Sequence, residues 1–210
     1  MKLYHSNGSP NARRVRILAA EKGLNLELVP VDLNAKEQFS DRYRAINPRA
    51  VVPTLVLDDG TAICETSVIM RYLDDAFPQA SLFGVTLEEK AIVAMWERRA
   101  ELEGFAAAME GVRNAAAGLK GRALSGPHAY EQIPELIERS KQRIVNFYDD
   151  MDARLAEVTF VAGKHFSAAD ITAFVAVDFA TKALNMPIPE ARISLKRWYD
   201  GVSARPAATA

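Results

Sequence analysis

Strand signals in this chain end before residue 66, and from Thr86 onward only helical periodicity remains. A chain of 210 residues written this way cannot wrap one sheet around all of itself. It must build an α/β unit first and an all-helical unit second. The helical stretches run near 87–118, 130–156, 168–184 and 190–204. Residues 78–86 read as a linker between a first domain, 1–77, and a second, 87–210. Ala106–Ala108 and Ala115–Ala117 carry no chemistry but let helices approach closely.

Within the first domain, Leu3 to His5 opens as a short strand, and Asn7-Gly8-Ser9-Pro10 supplies turn chemistry with Pro10 at a helix start. The helix continues from Arg13 to Glu21 with Val15, Leu18 and Ala19 at helical spacing. Lys22-Gly23 gives it a cationic last turn and a glycine stop. Leu26 to Asp32 is a second strand, and Pro30, which cannot donate to a ladder, assigns it to a sheet edge. Strand, helix, strand implies a right-handed parallel unit. A short helix from Lys36 to Ile46 ends at Asn47-Pro48. Thr54–Leu57 and Thr61–Cys64 flank Asp58-Asp59-Gly60, a hairpin signal that makes them antiparallel. Thr66 then caps a helix whose apolar face is Val68, Ile69, Tyr72 and Leu73, ended by Phe77-Pro78. The order is βαβ, α, ββ, α.

Charge and composition exclude several functions. With 26 basic and 27 acidic residues, nothing in bulk attracts nucleic acid or anionic lipid. The Arg13, Arg14, Arg16 cluster is interleaved with apolar residues and reads as the exposed face of a helix. No apolar run reaches membrane-spanning length, and turn residues follow Met1–His5 too soon for a signal-peptide core, so the expected compartment is the cytoplasm. The single cysteine, Cys64, excludes an intrachain disulfide and is expected as a small buried apolar residue. His5, His128 and His165 lack ligand spacing, and no metal is expected. There is no Gly-rich phosphate loop, no G-x-S-x-G elbow and no H-E-x-x-H.

What remains is Ser9 at one helix start, Val52-Pro53 before a strand, and Glu65-Thr66 at another helix start. An X-Pro bond can be cis at modest cost, and in a tight turn it leaves the preceding backbone pointing outward to accept an added peptide strand. An ordinary trans proline opening a strand is the alternative. Free N–H groups and the helix dipole at Thr66 favour an anion, or else the pair is a plain cap. In this order, and with S-P-N-A-R-R-V-R, N-P-R-A-V-V-P-T-L, C-E-T-S-V-I-M-R-Y-L and F-S-A-A-D-I-T, the chain resembles the glutathione transferase family, in its bacterial serine-type members, with some similarity to nu-like disulfide-reductase members.

That resemblance implies a thioredoxin-like N-terminal domain that binds glutathione and an all-helical domain that binds the electrophile. It implies that Val52 and Pro53 hold the cysteinyl main chain, that Thr66 takes the γ-glutamyl carboxylate and Glu65 its ammonium, and that Gln38 contacts the glycyl end. Ser9 becomes the catalytic donor. A free thiol has a pKa of about 8.5, and each unit of depression is about 1.4 kcal/mol of preference for the thiolate. Asn11 would donate a second hydrogen bond, with helix capping as the competing role for both residues. Phe105, Met109 and Arg113 recur four apart on one helix face and suit an aromatic or acidic acceptor, while core packing explains the first two equally well. Ser167 and Asp170 form a capping box, Asp178 needs a partner, and Trp198 and Tyr199 are packing anchors.

The function so implied is conjugation of glutathione to a small hydrophobic electrophile, a detoxification reaction, in a cytoplasmic homodimer. The alternatives are glutathione-dependent disulfide reduction or peroxidase activity, and a non-catalytic interaction module. An isomerase of the zeta type fits less well because its S-S-C start is missing. Thr66 departs from the serine that members often have there but keeps the hydroxyl.

Overall fold

A computed structural model describes residues 1–210, which divide into two compact units. One is Met1–Ala80 with Ser125–His128 and Ala210. The other is Ser81–Leu124 with Ala129–Thr209. The first holds β1 (Lys2–His5), α1 (Pro10–Glu21), β2 (Glu27–Pro30), α2 (Asp41–Arg44), β3 (Thr54–Val56), β4 (Ala62–Cys64) and α3 (Thr66–Ala76). The sheet order is β2-β1-β3-β4, with β1 parallel to β2 and the other pairs antiparallel. β2 lies at an edge, where the missing N–H of Pro30 costs no ladder bond. Leu3 and Leu55 pair across β1 and β3 and are fully buried, as are Val15 and Leu18 of α1 and Ile69, Met70 and Leu73 of α3, which packs on α1. Gly23, at φ +64, ends α1: its N–H reaches Ala20 O at 3.0 Å and that of Leu24 reaches Ala19 O at 2.8 Å, a Schellman turn that needs a left-handed residue. Lys22 does more than oppose the helix dipole. Its Nζ lies 2.7 Å from Asp74 Oδ1 on α3, with both side chains shut from water, so the pair escapes screening and neither charge can be removed alone without loss.

Several expectations are corrected. The helix read over 36–46 is broken at Ser40, whose backbone is extended. Glu37–Phe39 forms a 3-10 turn, and α2 starts afresh with Ser40 Oγ accepting from Tyr43 N at 3.2 Å. Thr66 is the first helical residue of α3, not its cap, and the cap position falls on Glu65 with no side-chain bond. The three arginines do not form an exposed face: Arg13 and Arg16 are half-buried, and Arg14 is fully buried. Position 14 lies on the same side of the helix as Val15 and Leu18, and the whole side chain is buried. Cys64 is half-buried, because β4 carries it at a sheet edge.

The second unit is helical: α4 (Leu87–Arg99), a π segment (Ala100–Phe105), α5 (Ala106–Ala115), α6 (Glu135–Glu157), α7 (Ala168–Leu184) and α8 (Ile193–Ser203). α7 is buried continuously from Ala168 to Asp178 and forms the centre, with α4, α5 and the π segment packed on it. The stretch read as one helix over 87–118 widens at Ala100–Phe105. Gly104 lies there, where an added Cβ would meet the Phe147 ring of α6 at 2.6 Å, so the ring of a neighbouring helix occupies the side-chain space. α6 starts at Glu135 and α8 at Ile193, each later than the periodicity suggests. Residues 116–134 are instead a loop held by side chains of α5. Ile133 N donates to Asn114 Oδ1 at 2.8 Å, and Gln132 Nε2 returns to Arg113 O and Ala116 O, each at 2.8 Å. Asp178 finds its partners in Lys182 Nζ and Tyr199 Oη, both at 2.9 Å. No helix is long and apolar enough to cross a membrane.

Candidate active site

The register of the sheet assembles the candidate residues. Tyr4 of β1, Thr54 of β3 and Cys64 of β4 form one row, and His5 pairs with Pro30 of β2 beside it. β1 leaves this row toward Ser9, β3 enters it from Val52-Pro53, β4 leaves it toward Glu65-Thr66, and β2 leaves it toward Gln38. Four segments far apart in sequence therefore emerge at one end of the sheet.

Ser9 is the N-cap of α1 and is 7% exposed. Its Oγ accepts from Ala12 N at 3.3 Å, which leaves the hydroxyl proton to donate, so capping and thiolate stabilisation use opposite sides of one oxygen. Asn11 Oδ1 accepts from Arg14 Nη1 at 3.3 Å, which turns its amide NH2 to the other side. The turn carrying Ser9 is stiffened by Ser9 N donating to Ser6 O at 3.0 Å and by Arg16 Nη1, 3.4 Å from the same carbonyl and 3.3 Å from His5 Nδ1. Burial, and secondarily the Arg16 charge, lowers the His5 pKa and keeps the ring neutral.

The Val52-Pro53 bond is cis, and both residues are buried. At Glu65 the backbone sits at φ 68, ψ 123, outside the regions ordinary residues favour, while its side chain is exposed. Strain of this kind concentrates at functional sites. Thr66, buried, opens α3, whose first N–H groups have no side-chain cap from position 65. Gln38 is not solvated, as an early surface-helix position would be. It is 6% exposed, and its Oε1 is buried with no partner in the chain. Burial pushes the Cys64 thiol up, more than a hydrogen bond with Thr54 lowers it.

The three helical-unit candidates differ in setting. Phe105 is buried and stacks on Phe179 with centroids 6.3 Å apart, Met109 is half-buried, and Arg113 Nη2 donates to Arg122 O at 2.7 Å and Leu124 O at 3.0 Å. Arg113 is thus tied to the loop after α5 through Nη2, while its Nε is buried without a partner. Residues that sequence reasoning passed over lie beneath the cis-proline turn: Tyr43, Asn47 and Thr54, buried polar groups converging on Val51 O. Asn47 and Thr54 stand inside N-P-R-A-V-V-P-T-L, where a polar residue amid an apolar run was the available signal.

Comparison with known proteins agrees with this architecture. Residues 3–81 match the family model of the glutathione S-transferase N-terminal domain, and residues 134–201 match that of its C-terminal domain. Glutathione S-transferase 2 of Saccharomyces cerevisiae is 32% identical over 98% of this chain and 87% of its own length. Among solved structures, Gtt2 of the same yeast superposes with a TM-score of 0.89 at 32% identity, covering 99% of this chain and 98% of that one. A glutathione S-transferase domain-containing protein of Marinobacter aquaeolei superposes at 0.88 with 38% identity, covering 99% of both chains. The fold is that of a glutathione transferase, a thioredoxin-like domain followed by a helical one. This chain belongs to the glutathione S-transferase family.

Proposed function

We propose that the chain is a glutathione transferase that holds glutathione across one end of the sheet and sends its thiolate to a small hydrophobic electrophile. The observation that supports this most is the register itself, which brings an uncapped helix start, a cis-proline turn and a serine cap to one end of the sheet. In this reading Ser9 Oγ–H and the Asn11 amide donate to the sulfur, and the α1 dipole adds a positive end. Val52 pairs with the cysteinyl main chain beside Pro53. Thr66 and the α3 N-terminus take the γ-glutamyl carboxylate, and Glu65 takes the ammonium. Gln38 offers its unmatched buried carbonyl to the glycyl amide N–H. The electrophile lies against Met109, with Phe105 and Arg113 fixing that face from the core and the loop. No metal takes part, residues 1–77 and 87–210 act as the two working domains, and the chain serves detoxification as a cytoplasmic homodimer.

Calorimetric titration with glutathione, followed by assay with a chloronitrobenzene-type acceptor and with hydroxyethyl disulfide, tests the reading. Binding plus conjugation is expected. Binding with disulfide reduction alone replaces conjugation by the reductase activity. No binding at millimolar glutathione leaves an interaction module. Light scattering at micromolar protein should report twice the chain mass.

A further inference from the structure

Val51 O is the meeting point of a closed polar cluster. Tyr43 Oη donates to it at 2.6 Å and Asn47 Nδ2 at 2.9 Å, and Thr54 Oγ1 lies 3.4 Å away. Asn47 Nδ2 also donates to Thr54 Oγ1 at 2.9 Å, and the Thr54 and Tyr43 hydroxyls are 3.0 Å apart. The hydrogens can be placed so that each donor is used: Tyr43 to Val51 O, Asn47 to Val51 O and Thr54, and Thr54 to Tyr43 or to Val51 O. Asn47 Oδ1 is occupied in turn by Arg49 N at 2.9 Å. Asn47 and Thr54 are wholly buried and Tyr43 nearly so, its ring packed with Val31 and Val52 and edge-on to Tyr4 at 6.0 Å. Burial raises the Tyr43 pKa, so the phenol keeps its proton at any assay pH near neutrality.

The carbonyl held here belongs to the same planar unit as the Val52 N–H. In a trans peptide C=O and N–H point in opposite directions, so drawing Val51 O inward aims the Val52 N–H outward. Val52 N enters none of the backbone hydrogen bonds of the chain outside its regular elements. We infer that Tyr43, with Thr54, is a positioning residue for glutathione: the pair fixes the Val51–Val52 peptide plane so that the Val52 N–H meets the cysteinyl carbonyl already aligned. This rests on the transferase reading above. Pre-orientation of this kind acts on the binding of one substrate, because the Val52 bond forms equally in the bound state and the transition state.

Tyr43→Phe should raise the KM for glutathione about 5- to 10-fold, the range of one neutral hydrogen bond, and leave kcat and the KM for the electrophile within twofold. Thr54→Val should do the same, and Thr54→Ser, which keeps the hydroxyl, should restore the wild-type value. Melting temperature measured on each variant separates positioning from loss of fold, since Thr54→Val and Thr54→Ser differ in glutathione KM at matched stability only if the hydroxyl positions. An unchanged glutathione KM in Tyr43→Phe, a fall in kcat alone, or failure of Thr54→Ser to rescue would overturn the inference. If the wild-type protein binds no glutathione in the calorimeter, it is the transferase reading that fails, an outcome visible before any variant is made.

Discussion

Three helices in this molecule begin at a serine cap, Ser9, Ser40 and Ser167, and two of them, α1 and α7, begin differently. At α7, Ser167 and the N3 residue Asp170 close on each other: Ser167 N and Oγ donate to Asp170 Oδ2 at 2.9 and 3.0 Å, and Asp170 Oδ1 takes Val161 N and the Trp198 indole N–H, both at 2.9 Å. At α1, Ser9 accepts from Ala12 N alone, and the N3 residue is Ala12 itself, which offers nothing in return. The closed start has no room for a ligand because its donors are committed to the protein. The open one leaves hydroxyl and helix N–H groups available, as α3 does behind Glu65. In the helical unit α4 also closes, with Thr86 and Glu89 bonded reciprocally, whereas α6 and α8 start without a side-chain cap. For Ser9, Thr86 and Ser167 it is the residue three places on that decides whether the start closes on itself.

Asp170→Ala should give the largest effect. It strands Val161 N, Trp198 Nε1 and Ser167 N in a fully buried site, and the expected cost is about 3–5 kcal/mol in denaturant unfolding. Burial also pushes the Asp170 carboxyl up to about 6 from 3.8, against the hydrogen bonds that lower it. A raised folded-state value means the folded chain holds the proton more tightly. This group therefore favours folding most below about pH 4, and that contribution is lost as the pH rises through 6, about 3 kcal/mol at ~1.4 kcal/mol per unit. Stability relative to Asp170→Asn, followed by urea midpoints from pH 4 to 7, should decline across that window. A flat difference would mean the closed cap carries no charge cost.

Ser9→Ala should reverse the pattern, with a stability loss of about 1 kcal/mol or less and a fall in kcat/KM of about 10- to 100-fold at neutral pH, one or two units of thiol pKa. Ultraviolet titration of the bound thiolate would show the shift directly, and activity should recover at alkaline pH. A variant that unfolds like Asp170→Ala would erase the contrast between the two serines. Glu65→Ala should come next, raising glutathione KM about 5- to 10-fold as one charge-assisted bond is lost, with stability within 0.5 kcal/mol because the side chain makes no cap bond.

How far these contrasts could be read in advance follows from what each side chain announces. The division into sheet and helices came from periodicity, the edge position of β2 from Pro30, and the α7 box from Ser167 and Asp170 at the right spacing. Arg14 was misread because a guanidinium among apolar residues looks like a surface group, and only packing shows that it is buried. At the widened turn over Ala100–Phe105, Phe147 reaches Gly104 from another helix, a tertiary contact with no local signature. Glu65 gives no hint of its φ, since glycine or asparagine is the residue expected there. The cluster at Val51 O was hidden because its centre is a main-chain carbonyl.

Thr86→Ala offers the smallest effect and the narrowest test of the comparison. Thr86 Oγ1 accepts from Glu89 N at 3.1 Å, and Glu89 Oε2 accepts from Thr86 N at 3.1 Å and Val85 N at 2.8 Å, all exposed, so water can replace what the mutation removes. The expected loss is about 1 kcal/mol, with glutathione KM and kcat unchanged. Its chemistry is nearly that of Ser9→Ala, a hydroxyl removed from a helix cap. If the two variants lose similar stability but only Ser9→Ala loses rate, the difference belongs to the open start and not to capping. If Thr86→Ala loses rate as well, catalysis responds to helix stability in general, and the distinction between closed and open starts has no functional meaning.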